Sequence, residues 1–412
     1  MKVVVIGGGA AGMVAAITSA RNNNDVVILE KTDNLGNKLK ITGKGRCNIT
    51  FSGDIEDFKK NVVKNNKFMY SSFSNFSNTD VINFFNSLGV ETKVERGARI
   101  FPVSDNANDV VNALKKELNR LKVNIRYNSK VEHIITKDNI VQGVRLEDGT
   151  VINCDKCILT TGGNSYKKTG SSGDGYKIAK ELGHEIVDIK PGLVPLKSDD
   201  IVCKMAQGLS LKNIFYKVYL DNKIIFEEFG ELMFAHFGLT RPVVLSSSSK
   251  INRLNNLEEN FKNKKINAVI DLKPALDFDT LYKRICRDFD KYSNKEFKNS
   301  LNDLLPQKLI PVIIKLSNIK ETKKVHQITK EERHDLCNLI KNLKINITGF
   351  MPMDIAIITC GGVSVKQINP KTMESKLVKG LYFAGEVLDI DGYTGGYNLQ
   401  IAFSTAYAAG QN

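Results

Sequence analysis

The chain has 412 residues, with 59 Lys and Arg against 45 Asp and Glu and a formal net charge of +14 at pH 7. This length allows two or three domains with a sizeable core, and no apolar run approaches the roughly 18 residues that span a bilayer. A strand-like segment begins at once, leaving no room for a signal peptide, and the seven scattered cysteines suit reduced thiols. These features predict a cytoplasmic protein without a membrane segment.

The first thirty residues predict a strand, a glycine loop, a helix, and a second strand that ends at an acid: Lys2–Ile6, Gly7-x-Gly9-x-x-Gly12, Ala10–Arg21, Val26–Leu29 and Glu30. Gly7 permits a tight turn, Gly9 lets the backbone approach a pyrophosphate, and Gly12 lets the helix pack closely on the strand. The positive end of the helix, at Ala10 and Ala11, would face the diphosphate. Glu30 would accept a bond from a ribose 2′-hydroxyl, which predicts FAD or NAD rather than NADP.

The segment after this acid favours FAD over NAD. Residues 31–48 contain three glycines, four lysines and one arginine, where an NAD domain usually continues into a third β-α unit. A cationic, glycine-rich loop suits a diphosphate and a flavin that need donors along their length. The candidate cofactor-binding residues of this loop are Lys31, Lys38, Thr42, Arg46, Cys47 and Asn48.

The next hundred residues predict further parts of the same domain: a helix at 109–121, a strand meander at 124–127, 131–135 and 143–146, and a strand at 157–161. Val131 is predicted to meet adenine through its backbone, and Thr161 with Gly162 to turn beside the cofactor. Cys154 and Cys157 form the only close cysteine pair. Because no second pair accompanies them, we predict a structural role and no metal site.

The middle of the chain differs in pattern and charge. Residues 192–249 alternate apolar and polar side chains, which favours barrel strands, and residues 255–344 are predicted to be rich in helix. Residues 250–344 contain 21 Lys and Arg against 13 Asp and Glu. Two interpretations are open: a composition rich in Lys and Asn throughout, or a surface that binds a polyanion.

The last segment predicts a return to the first domain. Gly385 and Glu386 follow a short apolar strand, and a second glycine-rich loop leads through Gly396 into a helix of small residues. Glu386 is predicted to bond ribityl or ribose hydroxyls. The backbone N–H groups of Asn398 and Leu399 would stabilise negative charge at the flavin N1/O2 edge.

Six motifs occur in an order that resembles the BaiN/YhiN (RdsA) family of flavoproteins: Gly7-Gly-Gly-Ala-Ala-Gly12, Gly43-Lys-Gly-Arg-Cys-Asn48, Gly97-Ala-Arg-Ile-Phe-Pro102, Thr169-Gly-Ser-Ser-Gly-Asp-Gly175, Glu231-Leu-Met-Phe-Ala-His236-Phe-Gly and Thr359-Cys-Gly-Gly-Val363. The resemblance covers essentially the whole chain. It implies an α/β fold: a two-dinucleotide-type, FAD-binding, Rossmann-like domain with an inserted β-barrel and helical domain. The predicted domains are 1–190 and 354–412 for FAD and 191–353 for the insert. Arg241 departs from the family, which leads us to expect a small residue there.

Three side chains are candidates for catalysis. Cys47 lies beside Arg46, where its thiol pKa is expected to be lowered; it either donates a proton or packs as a buried thiol. His236 either donates to a carbonyl or a carbon, or fills a core position between aromatics. Arg99 either holds an anionic substrate or forms a structural ion pair.

The resemblance implies reduction of activated C=C bonds, with NAD(P)H as a transient reductant because the chain has only one dinucleotide fingerprint. We favour a ribosomal RNA dihydrouridine synthase acting on 23S RNA, with rRNA as partner. An ene-reductase of steroid- or bile-acid-like enones is the first alternative, and it predicts an apolar pocket. A non-enzymatic, flavin-bound RNA-binding protein is the second.

Overall fold

The computed structural model describes residues 1–412. The strands are β1 Lys2–Ile6, β2 Asp25–Leu29, β3 Thr50–Phe51, β4 Val62–Lys64, β5 Thr92–Glu95, β6 Arg99–Pro102, β7 Asn124–Arg126, β8 Val131–Lys137, β9 Ile140–Leu146, β10 Val151–Asn153, β11 Lys156–Leu159, β12 Ile186–Gly192, β13 Leu196–Lys197, β14 Ser210–Leu220, β15 Lys223–Ala235, β16 Gly238–Thr240, β17 Ile266–Asp271, β18 Leu343–Asn346, β19 Gly349–Phe350, β20 Ile358–Val363, β21 Leu381–Phe383 and β22 Asp391–Gly392.

The helices are α1 Ala10–Arg21, α2 Asn37–Ile41, α3 Ile55–Asn61, α4 Tyr70–Asn75, α5 Asn78–Ser87, α6 Ala107–Arg120, α7 Asp174–Glu181, α8 Ile201–Met205, α9 Pro242–Ile251, α10 Leu257–Lys262, α11 Phe278–Lys291, α12 Ile310–Leu316, α13 Lys330–Lys341 and α14 Tyr397–Gln411. None of them is long and apolar enough to cross a membrane.

The chain forms two compact units. The first contains Met1–Gly192 together with Met353–Asn412, and the second contains Leu193–Pro352. We call them the first unit and the inserted unit.

The centre of the first unit is a five-stranded parallel sheet in the order β21-β11-β1-β2-β7. Its middle strand, β1, is an apolar run whose last four residues are buried, as a strand covered on both faces requires. β21 comes from the C-terminal segment and pairs in parallel with β11, so that Cys157 lies opposite Leu381. The two ends of the sequence therefore belong to one sheet.

Helices α1 and α14 pack closely because small residues line their contact. A Cβ atom on Gly410 would lie 2.6 Å from the carbonyl oxygen of Ala15. α6 is joined to α1 by the buried Glu117 carboxylate, which accepts from Arg21 at 2.6 Å and from Arg120 at 2.7 Å. These hydrogen bonds, first that of Arg120, lower the pKa of Glu117 to about 2.

The predicted meander is correct in two of its three strands. β8, β9 and β10 form an antiparallel three-stranded sheet. The segment predicted to open this meander, 124–127, instead contains β7, which pairs in parallel with β2 at the edge of the central sheet. The three residues of β7 carry no signal of which sheet they join.

The inserted unit is built on a seven-stranded antiparallel sheet in the order β18-β17-β14-β15-β16-β13-β19. Ile214, Tyr216 and Val218 of β14 are buried on its inner face. The region predicted to be rich in helix does contain α10 to α13, but β17 and β18 were missed there, and they extend this sheet beside β14. A closed barrel stays a prediction.

Candidate functional site

The glycine loop after β1 has the backbone that the sequence predicts. Gly7 has φ +100°, and a Cβ atom there would lie 2.8 Å from the carbonyl oxygen of Thr160. A Cβ atom on Gly12 would lie 1.8 Å from the carbonyl oxygen of Gly7. A Cβ atom on Gly9 would meet no other atom within 4 Å. Two of the three glycines are therefore required by the protein itself, whereas Gly9 borders open space that suits a ligand.

The start of α1 is open to an anion. Its N-cap residue, Gly9, has no side chain to bond the first turn, and no acidic residue lies in that turn. The first bond of the helix runs from the N–H of Met13 to the carbonyl oxygen of Gly9 at 3.0 Å. The N–H groups of Ala10, Ala11 and Gly12 are thus left for the group that the helix N-terminus favours, such as a phosphate.

Glu30 is buried at the end of β2. One carboxylate oxygen accepts from the N–H of Gly8 at 2.8 Å, and the other accepts from the N–H and hydroxyl of Thr32, both at 2.8 Å. These donors fix a carboxylate beside the glycine loop, where the sequence predicts a ribose.

The carboxyl ends of β11 and β21 reach the same edge of the sheet. The hydroxyl of Thr160 donates to the carbonyls of Ile6 and Gly7, at 2.9 and 2.8 Å, and so fixes the end of β1. Thr160 was not predicted, although it precedes the predicted Thr161 and Gly162. Gly385 follows β21, and a Cβ atom there would lie 2.8 Å from the Cβ of Ala11. The first and last segments thus meet at the start of α1.

Lys38 and Glu386, both predicted to bind the cofactor, form an ion pair with each other. The Lys38 Nζ lies 2.7 Å from Glu386 Oε2 and 2.7 Å from the hydroxyl of Ser165. The backbone N–H of Thr359 donates to Glu386 Oε1 at 2.7 Å. Sequence reasoning missed Ser165 and Thr359 as supports of this carboxylate, although Thr359 opens one of the family motifs.

The start of α14 is a second open helix N-terminus. Gly396 has φ +101° and provides no side-chain cap, and the first turn contains no acid. The Asn398 side chain bonds Gly392 through its Oδ1 and its Nδ2, at 2.9 and 2.8 Å, so of this residue the backbone N–H is left for a ligand, beside the N–H of Leu399. A Cβ atom on Gly396 would lie 2.3 Å from the carbonyl oxygen of Thr50, which places β3 against this turn.

The loop at residues 42–48 contradicts one expectation about Cys47. The thiol is fully buried, and desolvation raises its pKa to about 12, although the Thr42 hydroxyl opposes this shift. The predicted lowering of this pKa is wrong because the side chain of Arg46, next to Cys47 in sequence, pairs with carboxylates and not with the thiol. Cys47 therefore stays a neutral thiol at physiological pH. Thr42 donates its hydroxyl to the carbonyl of Leu39 at 2.7 Å.

The guanidinium of Arg46 is engaged by the protein. It pairs with Glu95 and, at 2.6 Å, with Asp105, and it lies 4.2 Å from the centre of the Phe101 ring. Lys31 is likewise engaged, with Asp174 at 2.5 Å and with Ser172. Both cations, predicted to bind the cofactor, are thus paired with carboxylates of the protein.

The remaining predicted residues lie in both units. Val131 is buried at the start of β8. Arg99 is half-buried on β6, donates to the carbonyl of Arg96 at 3.0 Å and lies 5.9 Å from the Phe101 ring centre. It has no carboxylate partner, so the alternative of a structural ion pair is wrong. His236 lies in the inserted unit, exposed in the turn between β15 and β16, so a core role is wrong. The catalytic roles of all three candidates stay predictions.

Two buried oxygens fit a bound dinucleotide. Asn48 Oδ1 and Thr161 Oγ1 are shielded from solvent and have no hydrogen-bond partner within the chain. Because buried polar atoms are normally satisfied, both favour a ligand that completes their bonding. Together with the open space at Gly9 and the two uncapped helix starts, they fit FAD. No three His, Cys, Asp or Glu side chains are grouped so as to hold a metal ion.

Comparison with known proteins agrees with this geometry. The chain matches the family described as HI0933-like protein Rossmann domain over residues 1–412. It is 32% identical to the 3-dehydro-bile acid delta(4,6)-reductase of Clostridium scindens, covering 93% of this chain and 91% of that protein. It is 28% identical to the ribosomal RNA dihydrouridine synthase of Escherichia coli, covering 94% and 91%. The protein of that name from Haemophilus influenzae is 29% identical, covering 92% and 90%.

Solved structures resemble the chain in fold. The 3-ketosteroid-delta4-(5alpha)-dehydrogenase of Rhodococcus jostii matches with a TM-score of 0.51 at 15% identity, covering 99% of this chain and 95% of that one. A quinol-fumarate reductase matches with a TM-score of 0.51 at 14% identity, covering 99% and 70%. These similarities confirm the predicted α/β Rossmann-type fold.

Proposed function

Because the chain belongs to the HI0933-like Rossmann-domain family, we propose that it is an FAD-dependent oxidoreductase that reduces an activated C=C bond. We propose uridine in 23S ribosomal RNA as the substrate and dihydrouridine as the product. NAD(P)H is the proposed electron donor, and it would bind transiently.

The observation that carries the FAD proposal is the pair of uncapped helix starts, α1 and α14, from opposite ends of the sequence. One positive helix end suits the diphosphate. A second suits a group that gains negative charge on reduction, such as the flavin pyrimidine. A nicotinamide dinucleotide offers no such second anionic group.

Residues of the first unit would hold each part of FAD. Gly9 and the first turn of α1 would bind the diphosphate, and Glu30 the adenosine ribose. The buried side-chain oxygens of Asn48 and Thr161 would form hydrogen bonds with the cofactor. Glu386, oriented by Lys38 and Thr359, would accept from ribityl or ribose hydroxyls. When bound and reduced, FAD supplies a hydride equivalent to the carbon β to a carbonyl.

Side chains of the protein would supply the proton and hold the substrate. In uracil the hydride goes to C6, and a proton must reach C5. A neutral, buried Cys47 thiol retains its proton at physiological pH, as a proton donor must, although its raised pKa makes it a weak acid. Arg99, without a carboxylate partner, would hold an anionic group or a developing enolate.

Two observations support RNA as the substrate class. The inserted unit contains eight more Lys and Arg than Asp and Glu, and a polyanion is attracted by such a surface. Two curated relatives that align over more than nine-tenths of the chain are ribosomal RNA dihydrouridine synthases. Ribosomal RNA also suits the predicted cytoplasmic location.

A specific observation favours a second candidate. The relative with 32% identity reduces a bile-acid derivative, as its name states. A steroid enone and uracil both present a C=C bond conjugated to a carbonyl, so one flavin site suits either. A small steroid substrate would not explain the excess of positive charge in the inserted unit, because it is not a polyanion.

Mapping of dihydrouridine in 23S ribosomal RNA from a deletion strain tests the proposal. We expect loss at one position and its return on complementation with the wild-type gene. Unchanged RNA together with NAD(P)H-dependent reduction of a steroid enone would establish the second candidate. Unchanged RNA and no enone turnover would leave the non-enzymatic RNA-binding alternative, which RNA capture by the purified flavoprotein then tests.

The double variant Cys47→Ser, His236→Ala tests the catalytic assignment. We expect it to retain FAD and to lose most of the RNA modification. Full complementation by this variant would show that neither side chain is needed for proton transfer.

A further inference from the structure

Helix α11 of the inserted unit carries a row of cations on one face. Lys283, Arg287, Lys291 and Lys295 occur at every fourth position, the first three on α11 and the last just beyond its end. All four are exposed. We call these four residues the cationic stripe. Residues four apart lie on the same side of a helix, so the charges of Lys283, Arg287 and Lys291 are about 6 Å apart along the axis.

The opposite face of α11 is its buried face. Leu281, Ile285 and Phe289 are buried, and each lies two residues from a member of the stripe, on the other side of the helix. The stripe is therefore directed away from the core of the inserted unit. Because the apolar face is already covered by protein, the helix does not have the exposed apolar face of a membrane-surface helix.

The stripe continues onto a neighbouring loop. The N–H of Val325 donates to the carbonyl of Lys295 at 3.1 Å, and the N–H of Phe297 donates to the carbonyl of Lys323 at 2.9 Å. These bonds bring the exposed Lys324 beside Lys295, and the Lys324 Nζ donates to the carbonyl of Asn294 at 3.3 Å. These backbone hydrogen bonds thus place a further cation, Lys324, at the end of α11.

An aromatic ring lies among these cations. The Nζ atoms of Lys291 and Lys295 lie 4.8 and 4.2 Å from the centre of the Tyr292 ring, and the Tyr292 hydroxyl donates to Asp303 at 2.6 Å. Asp303 also pairs with Lys291 at 2.9 Å. Lys283, Lys295 and Lys324 form no ion pair, so their charge is available to a partner.

We propose that the cationic stripe, together with Lys324, binds the phosphate backbone of the RNA substrate. This inference rests on the proposed function and adds the surface that holds the RNA. Three exposed cations in regular steps on α11, with two more beyond its end, match a chain of phosphates, and an aromatic ring among cations is typical of surfaces that bind single-stranded RNA. The stripe itself carries no base-reading geometry, so it would fix the position of the RNA and leave sequence selection to other contacts.

Charge removal with a matched control tests the proposal. The stripe variant is Lys283→Gln, Arg287→Gln, Lys295→Gln, which leaves the Lys291–Asp303 pair intact. The control variant is Lys116→Gln, Lys137→Gln, Lys366→Gln, which removes the same charge from exposed positions of the first unit. Binding of unmodified 23S RNA transcript and of a short single-stranded RNA is measured against salt concentration, with flavin absorbance and thermal unfolding as checks of integrity.

We expect the stripe variant to bind RNA at least about tenfold more weakly than the control at physiological salt. The slope of log K against log salt should become shallower by about 2, since each phosphate contact on a single strand contributes about 0.7. Equal RNA affinities and slopes for the two variants would overturn the inference and leave the proposed function standing. A wild-type protein that neither binds nor modifies RNA would overturn both. Binding of an acidic peptide is measured in parallel. If the stripe variant binds this peptide more weakly but binds RNA as the control does, the stripe binds a protein partner and the inference is overturned.

Discussion

The first and inserted units differ in where their unusual residues lie. In the first unit, positive-φ glycines, the uncapped start of α1 and the unpartnered Thr161 Oγ1 occur around the segments that follow β1, β11 and β21. In the inserted unit, the corresponding features are spread over separate elements: buried oxygens without a hydrogen bond lie on α9, α11 and β18 (Ser249, Asp288 and Asn346), the half-buried Glu228 lies on β15, and the positive-φ residue Arg241 precedes α9. Grouped irregularities indicate a ligand, whereas isolated ones lower stability without a binding role. Changes at the glycine loops of the first unit should therefore affect cofactor binding, and changes at Glu228 and Arg241 should affect stability alone.

The largest effect is expected for Gly12→Ala. Its Cβ would lie 1.8 Å from the carbonyl oxygen of Gly7, which is backbone and cannot turn aside. We expect a loss of unfolding free energy of about 3 kcal/mol or more, together with loss of bound FAD. Thermal unfolding and flavin absorbance of the purified variant measure both.

Gly9→Ala separates cofactor binding from folding. A Cβ there meets no atom within 4 Å, so the stability of the FAD-free protein should stay unchanged. FAD affinity should fall at least about tenfold, because the methyl group would stand where the backbone approaches a diphosphate. Wild-type FAD affinity in Gly9→Ala, measured by titration calorimetry, would contradict the placement of the diphosphate at this loop.

Glu228→Gln should stabilise the protein above neutral pH. Desolvation raises the pKa of Glu228 to about 7 in the folded protein, from 4.5. The folded state thus binds this proton more tightly than the unfolded state, and the stability that the proton supports is lost as pH rises from 4.5 through about 7. At pH 8 the variant should be more stable than wild type by about 2 kcal/mol, with equal FAD affinity. Identical pH dependence of urea unfolding in both proteins would show that this carboxyl is solvated.

Arg241→Gly should stabilise the inserted unit at any pH. Arg241 has φ +90° and ψ 172°, a conformation that favours glycine. Its ion pair with Glu231, at 4.0 Å, is long and partly exposed and offsets little of the strain. We expect a gain of about 1 kcal/mol, measured by urea unfolding, with Arg241→Ala as the control that removes the charge but keeps a Cβ. A gain of the same size in the control would assign the effect to charge.

Only a small effect on cofactor binding is expected for Arg46→Gln. The guanidinium is paired with Glu95 and Asp105 rather than held for a phosphate, so FAD affinity should change less than threefold or so. Loss of these pairs should loosen the 42–48 loop and expose Cys47. Alkylation of Cys47 by iodoacetamide, slow in wild type because the thiol is buried and neutral, should be faster in the variant. A large loss of FAD would instead support the predicted role of Arg46 as a donor to the cofactor.

Backbone features of the site were predictable from sequence, and side-chain partners were not. Gly7 and Gly12 have the backbone conformation and close contacts that their spacing implies, because a strand, a tight turn and a helix leave few other residues possible. Glu30 follows β2 as predicted, and its bond to a ribose stays a prediction. Arg46 was predicted to donate to the cofactor, and Cys47 to have a lowered pKa, because only neighbours in sequence were visible. The acids that bind Arg46 are 49 and 59 residues away in the chain.

The same limit explains the errors of fold. β7 has three residues, and its choice of the parallel sheet depends on pairing with β2, nearly a hundred residues earlier. β17 and β18 lie in a lysine-rich, helix-rich region and form strands because they pair with β14 and with each other. Long-range pairing decided each case.

The most direct test is the stoichiometry and affinity of FAD in the wild-type protein and in one variant from each end of the sequence, Gly9→Ala and Glu386→Gln. We predict a yellow protein with one FAD per chain, whose affinity falls at least tenfold or so in both variants. A protein that stays colourless with excess FAD, or a variant at either end that binds FAD as tightly as wild type, would contradict a cofactor held jointly by the two segments.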